Sequence, residues 1–316
     1  MRKVLATVLI AVFGVVVAGC ADDSTRTTDH PAVVASTDVW AAVARAVGGE
    51  HADVTALFNS PGADPHEFEP SMADTAKIED ADVLVFNGGH YDAYVETAAS
   101  SSAAVQVNAT RLAGGEDDHE DDDHGHDDHG HEGHGHEGHD HGTNEHVFYD
   151  LPVVARVADA TADALAKLAP MHAQYYRDRA AAFDAGIADL RGRLAALKAQ
   201  HDGTEVAATE PLAAYLLTAA GLVDVAPAAF TAAVENGQAP SAADVAAFGD
   251  LITGRDIAVL IYNTQAVDPA TRSVLDLARS NAIPVVDMTE SLPAGVTDYL
   301  LWQSAQIDRL EAALAR

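Results

Sequence analysis

The chain has 316 residues, with 49 acidic against 18 basic side chains and a net charge of −31; this argues against nucleic acid as a partner. Its single cysteine rules out an intramolecular disulfide. Hydrophobic residues make up 48%, enough to fill the cores of two lobes of ordinary size once termini and low-complexity segments are set aside.

Met1-Arg2-Lys3 is a short basic start, residues 4–17 are apolar, and Val17-Ala18-Gly19-Cys20 resembles a bacterial lipobox. The pattern reads as a signal peptide over residues 1–19, and lipidation at Cys20 is the sensible use of a lone thiol. The apolar stretch falls short of the ~20 residues that a membrane span requires. Residues 20–31 are polar and aperiodic, as suits a flexible lipid-anchored tether. The body of the protein is therefore expected outside the cytoplasm, at the outer face of the cell membrane.

Short apolar, β-branched runs follow at residues 33–37, 53–58, 83–86 and 105–107, separated by helical or loop-like stretches. A second series lies at residues 205–209, 223–225, 257–262 and 283–288. Such alternation predicts α/β architecture with parallel sheets, and its repetition predicts two similar lobes, residues 32–170 and 201–316. No second long hydrophobic run is present, so the chain forms no membrane channel by itself. Between the lobes, residues 171–200 start just after Pro170, are rich in Ala, Leu, Arg and Gln, and contain no proline. One helix of that length would extend ~45 Å, a spine joining both lobes. Gly186 and Gly192 weaken it and mark where a break could fall. Residues 151–168 are helical in composition and complete the first lobe.

Residues 116–141 interrupt that lobe with a tract of carboxylates, glycines and nine histidines: His119, His124, His126, His129, His131, His134, His136, His139 and His141. No apolar residue is available to anchor it in a core, so it is expected to remain disordered. Its 12 acidic residues, with no basic ones, leave −19 for the rest of the chain. Neutral imidazole is a favoured ligand of zinc, copper and nickel, and intervening glycines let neighbouring side chains converge. The alternative is a solvated acidic spacer, which has no need of so many histidines. Mobile ligands bind weakly and without fixed geometry, so a strong site must lie elsewhere.

Four further side chains are candidate ligands. His66 lies in the Pro- and Gly-stiffened loop after the second strand, His146 where apolar order returns after the tract, Glu210 at the exit of the 205–209 strand and Glu290 at the exit of the last. Singly, each could be an exposed loop residue or a helix cap. Together they fall at the carboxyl ends of strands, where open α/β sheets bind ligands, with two from each lobe. Asp287 and His90 are rivals for the same site, and Asp150 either supports a ligand imidazole or caps the next helix. His51, His172 and His201 read as surface or solvated residues.

Pro61-Gly62-Ala63-Asp64-Pro65-His66-Glu67-Phe68-Glu69-Pro70, the later Ala81-Asp82-Val83-Leu84-Val85-Phe86-Asn87-Gly88-Gly89, and the His-rich insertion just before His146 resemble the solute-binding lipoproteins of bacterial ABC importers for zinc and manganese. The resemblance runs from residue 33 to the C-terminus. It implies two lobes joined by a rigid helix, a metal site in the cleft, a monomer, and an ABC permease with its ATPase as partners. It also implies His66, His146, Glu210 and Glu290 as ligands of the transported ion. Thr209-Glu210 stands where many zinc members have a third His, and Glu290 where relatives often have Asp. The carboxylate in place of a histidine makes the site more anionic and harder, and a carboxylate-rich site leans toward Mn2+, while the tract leans toward Zn2+. Capture of Zn2+ is the expectation, with manganese import, a storage or adhesion lipoprotein, and a zinc hydrolase as alternatives. The hydrolase lacks a His-Glu-x-x-His helix and a nucleophile elbow, and four protein ligands leave little room for a reactive water.

Overall fold

The computed structural model describes residues 27–114 and 144–315. The expected signal peptide, the expected lipidation site Cys20 and the nine histidines of the tract lie outside the described residues. In the first lobe, β1 (Ala32–Thr37), β2 (Asp53–Phe58), β3 (Val83–Phe86) and β4 (Val105–Asn108) alternate with α1 (Asp38–Gly48), α2 (Met72–Asp80), α3 (Ala93–Ala98) and α4 (Ala109–Gly114). α5 (Leu151–Leu168) closes this lobe and α6 (Ala173–His201) leaves it. The second lobe comprises β5 (Glu205–Ala208), α7 (Ala214–Ala219), β6 (Val223–Asp224), α8 (Ala228–Glu235), α9 (Ala242–Gly254), β7 (Leu260–Asn263), α10 (Pro269–Ser280), β8 (Val285–Met288) and α11 (Tyr299–Leu314).

Both sheets are wholly parallel and share one topology, β2-β1-β3-β4 and β6-β5-β7-β8. After β2 the chain crosses to the other side of β1 to form β3, and after β6 it crosses to the other side of β5 to form β7, so the connections diverge at the β1/β3 and β5/β7 neighbours. Such switch points open a crevice beyond the carboxyl ends of the strands. The central strands β3 and β7 are buried along their whole length, which explains why they read as unbroken apolar runs rather than as alternating ones.

α6 has a narrow apolar stripe: Tyr176, Ala180, Phe183, Ile187, Leu190, Leu194 and Leu197 are its buried residues. Spacings of four and three keep these side chains on one face. They join a single core that includes Val33 and Leu165 of the first lobe and Val206 and Leu310 of the second. Polar contacts divide along the same helix. Near its start, Tyr176 Oη donates to the His51 carbonyl at 2.7 Å and Arg179 Nε to the Ala46 carbonyl at 2.6 Å. Further on, Arg193 reaches Ser304, Asp308 and Glu311 on α11 at 2.8, 2.5 and 2.8 Å. The helix therefore belongs to both lobes.

It begins two residues later than its composition predicts because Pro170, Met171 and His172 form a separate 3-10 turn, and it does not break at either glycine. Gly186 lies beneath Leu300, whose Cδ1 would be 2.4 Å from an added Cβ, whereas Gly192 faces open space. Gly192→Ala should therefore stabilise the protein by about 0.5–1 kcal/mol through helix propensity alone. Gly186→Ala should gain less or nothing, since Leu300 must move. Urea denaturation of the two variants side by side measures the difference.

Candidate metal centre

The crevice between the lobes gathers side chains from five chain segments. His66 is in a 3-10 turn, Pro65–Glu67, whose preceding Asp64 accepts from the His66 amide at 2.8 Å. The proline and this cap hold the imidazole at the crevice mouth, with 25% of the side chain exposed. His146 is fully buried. The Asn144 side-chain oxygen accepts from the His146 amide at 3.0 Å and lies 2.9 Å from its Nδ1. An amide oxygen can only accept, so Nδ1 carries the hydrogen and Nε2 is turned toward the site.

The loop bearing His146 is clamped from both lobes. Asn144 donates to the Pro211 carbonyl at 2.8 Å and its own carbonyl accepts from Tyr215 Oη at 2.8 Å. From the first lobe, Asn87 Nδ2 donates to the Glu145 carbonyl at 2.7 Å. Asn87 is held in turn because its amide and that of Gly88 both donate to Asp92 at 2.7 Å. Gly88 has φ +84°, and an added Cβ would lie 2.2 Å from the Asn108 side chain. The Asn-Gly-Gly sequence is thus required by a left-handed turn with no space for a side chain.

Glu290 is the centre of the arrangement. Its Oε2 lies 3.2 Å from His66 Nε2 and 3.3 Å from His146 Nε2, and it accepts from Tyr91 Oη at 3.2 Å. The other oxygen accepts from Asn263 Nδ2 at 2.7 Å. Gln265 Oε1 receives the amides of Glu290 and Ser291 at 2.5 and 3.0 Å, and Asp38 of the first lobe receives that of Leu292 at 3.1 Å. Gln265 Nε2 also reaches the Ala63 carbonyl near His66, at 3.2 Å. One loop of the second lobe is in this way fastened to two points of the first.

His66, His146 and Glu290 offer donor atoms all within 4.8 Å of one another. Glu210 is brought close but is not among them. Its carboxylate accepts from Asn263 Nδ2, the same amide that donates to Glu290. Glu235, at the end of α8, is a carboxylate that the sequence does not single out. Its Oε1 lies 3.7 and 3.8 Å from the Nε2 atoms of His66 and His146. The rivals stand apart. Asp287 is exposed, His90 is fully exposed and pairs with Glu145 at 3.2 Å, and Asp150 caps α5 through the Val153 amide. His51 and His172 stack on each other with centroids 3.7 Å apart, rather than standing separately in solvent.

Electrostatically, the site is built for a cation. Burial disfavours charge on His66, but its hydrogen bond to Glu290 and the charges of Glu290, Glu235 and Asp64 prevail and raise it to about 9. Burial likewise opposes charge on His146, and Glu290 and Glu235 raise it. Glu290 is held well below the ordinary range, since the two histidines outweigh its burial. Glu210 is pushed to about 9, by burial first and then by Glu290, Glu235 and Asp64. At the site, His146 Nε2 and Glu235 Oε2 are among the buried atoms without a well-formed hydrogen bond, His146 Nε2 having only its 3.3 Å ion pair with Glu290. Such orphans are costly unless something binds them. Among residue types, paired imidazoles and carboxylates with unfilled donor capacity suit a divalent transition metal.

A family model for the periplasmic zinc-uptake complex component A, ZnuA, matches residues 33–313. The chain belongs to that family. Among curated relatives, the manganese-binding lipoprotein MntA of Bacillus subtilis is 38% identical over 99 residues, 30% of this chain and 31% of that protein. The high-affinity zinc uptake system protein ZnuA of the same organism is 31% identical over 124 residues, 35% of this chain and 39% of that protein. These matches span only about a third of the relatives' length. A crystal structure of ZnuA superposes with a TM-score of 0.67 at 21% identity, over 90% of this chain and 99% of that one; at that identity the likeness concerns the fold. The two parallel-sheet lobes and long helix expected from the sequence are those of this family.

The protonation pattern predicts how the ion-free protein responds to pH. His66 rises from 6.5 to about 9 on folding, so its contribution to stability is complete below pH 6.5 and disappears as pH climbs through 9. Glu210 rises from 4.5 to about 9 and so keeps its proton when folded but not when unfolded, which lowers stability from pH 4.5 upward and adds to the fall between 6.5 and 9. With chelator present, the melting temperature should fall between pH 6.5 and 9. His66→Ala should flatten part of that fall, as a series of thermal melts across this interval would show.

Proposed function

We propose that this protein captures a divalent transition-metal ion outside the cytoplasm, Zn2+ in the first place, and delivers it to an ABC permease and its ATPase. In this reading His66, His146 and Glu290 close on the ion directly. Glu210 joins them by ionising and moving past Asn263. The observation that carries it is the convergence of two imidazoles on one buried carboxylate oxygen at 3.2 and 3.3 Å, with His146 Nε2 left without a well-formed hydrogen bond. Donors bound at roughly 2.0–2.1 Å to a common zinc stand about 3 Å apart, so little movement is needed. Capture replaces protons on the imidazoles with the ion, which makes affinity rise with pH. Release requires the lobes to loosen around the clasps at Gln265 and Asp38.

A lipid on Cys20 would hold the protein at the membrane, with residues 20–31 as tether. Among the described residues no helix is long and apolar enough to cross a membrane. The division into lobes 32–170 and 201–316 around a linker at 171–200 belongs to the same proposal. The His-rich tract would collect ions and pass them inward to the crevice, whose ligands are already held in place.

A second reading, manganese import, is favoured by the abundance of carboxylates around the histidines and by the likeness to a manganese-binding lipoprotein. Affinity alone does not separate them, because zinc outranks manganese at almost any nitrogen and oxygen site. Deleting the gene and growing the cells under chelation does. Zinc import predicts that cellular zinc falls and that added zinc restores growth; loss of manganese alone, restored only by manganese, would establish the second reading.

Two sets of variants test the assignment of residues. His66→Ala and His146→Ala should each abolish tight one-to-one binding while circular dichroism shows a folded protein. Deletion of residues 116–141 should remove only weak additional equivalents. Calorimetry distinguishes the two classes of site, and retention of nanomolar affinity in both histidine variants would refute the crevice as the primary site.

A further inference from the structure

We propose that Glu235 is a further donor to the captured ion, approaching from the solvent side as a fifth ligand beside His66, His146, Glu290 and Glu210; this rests on the reading of the crevice as the metal site. Around an ion with bonds of roughly 2.0–2.1 Å, neighbouring donors stand about 2.9–3.4 Å apart, depending on geometry. Glu290 Oε2 is already at that spacing from both imidazoles. Glu235 Oε1 is nearly equidistant from the same two nitrogens, at 3.7 and 3.8 Å. It stands just outside the shell, and a common shift of about half an ångström brings it in.

Nothing else in its surroundings accounts for this side chain. Glu235 is the last residue of α8, the helix end at which a carboxylate is disfavoured by the backbone dipole. Its Oε2 is buried without a hydrogen-bond partner, and no lysine or arginine forms an ion pair with it among the described residues. An ordinary helix-terminal glutamate would turn to water. This one faces the two imidazoles, with only 22% of its side chain exposed. Asn236 and Gly237 follow at once, and Gly237 has φ +63° with open space around it. α8 therefore ends in a turn that can accommodate a small displacement. The other candidate ligands follow strand ends or the His146 loop; Glu235 alone comes from a helix terminus at the mouth, placed to join the shell last and leave it first.

The test uses the full-length protein loaded with one equivalent of Co2+, whose visible absorption reports coordination number, and with Zn2+, whose loss to excess chelator is followed in time. Glu235→Ala and the nearly isosteric Glu235→Gln should keep one tight site. Both should shift the Co2+ bands toward the stronger absorption of four-coordinate cobalt and release Zn2+ about tenfold faster or more. An unchanged spectrum overturns the proposal, whatever the release rate, because faster release alone would make Glu235 a neighbouring charge rather than a donor. Should the alanine variant unfold, the glutamine variant decides. His146→Ala serves as the separate control: if it retains the cobalt spectrum, the crevice reading itself fails, whereas loss of cobalt there with unchanged Glu235 variants refutes Glu235 alone.

Discussion

Four groups that would repel or orphan one another are held in one crevice by their arrangement around Glu290. Its carboxylate faces two imidazoles, a tyrosine hydroxyl and an asparagine amide, and it is almost fully buried. Without positive charge opposite, burial of that carboxylate would be strongly unfavourable. In the ion-free protein, protons on His66 and His146 provide it; a divalent ion provides it more compactly and can also satisfy His146 Nε2 and Glu235 Oε2. Glu210 shows the other side of the same balance. Placed beside Glu290 with only an amide between them, it retains its proton far above the usual carboxylate range.

That arrangement depends on keeping the two lobes in register. α6 does so at long range, with Tyr176 and Arg179 fixed to the first lobe and Arg193 to the second. Near the site the work passes to Gln265, Asp38 and Tyr91, each of which joins the Glu290 loop to the opposite side or braces it. Aromatic packing lies behind: Tyr149 and Trp302 hydrogen-bond to Thr289, one residue before Glu290, and contact each other at 5.5 Å between ring centroids. Small changes in this backing move the ligand loop as a unit, since well-packed interiors deform little.

The eight strands are legible in the sequence as short β-branched apolar runs, unbroken where β3 and β7 are buried throughout and weakest at the exposed edge strand β6. Their order within each sheet is not. His66 and Glu290 are recognisable because each follows a strand, in a loop stiffened by proline or ending in one, where open α/β sheets place their ligands. Glu235 escapes notice because a glutamate before Asn-Gly at a helix end looks like a solvated terminus. Asn263, Gln265 and Asn144 escape for a different reason: their roles arise from contacts with residues far along the chain, and an amide carries no local signature of them. Gly186 likewise reads as a weak point of the helix, although its lack of a side chain is what lets Leu300 pack closely.

The central claim is that the tightly held ion lies in the crevice, between two imidazoles and several carboxylates, and not in the His-rich tract. X-ray absorption fine structure of the protein loaded with one equivalent of Zn2+ tests this directly. The crevice site predicts two imidazoles and a remainder of oxygen donors at roughly 2.0–2.1 Å. A first shell of three or more imidazoles would contradict it and place the ion in the tract.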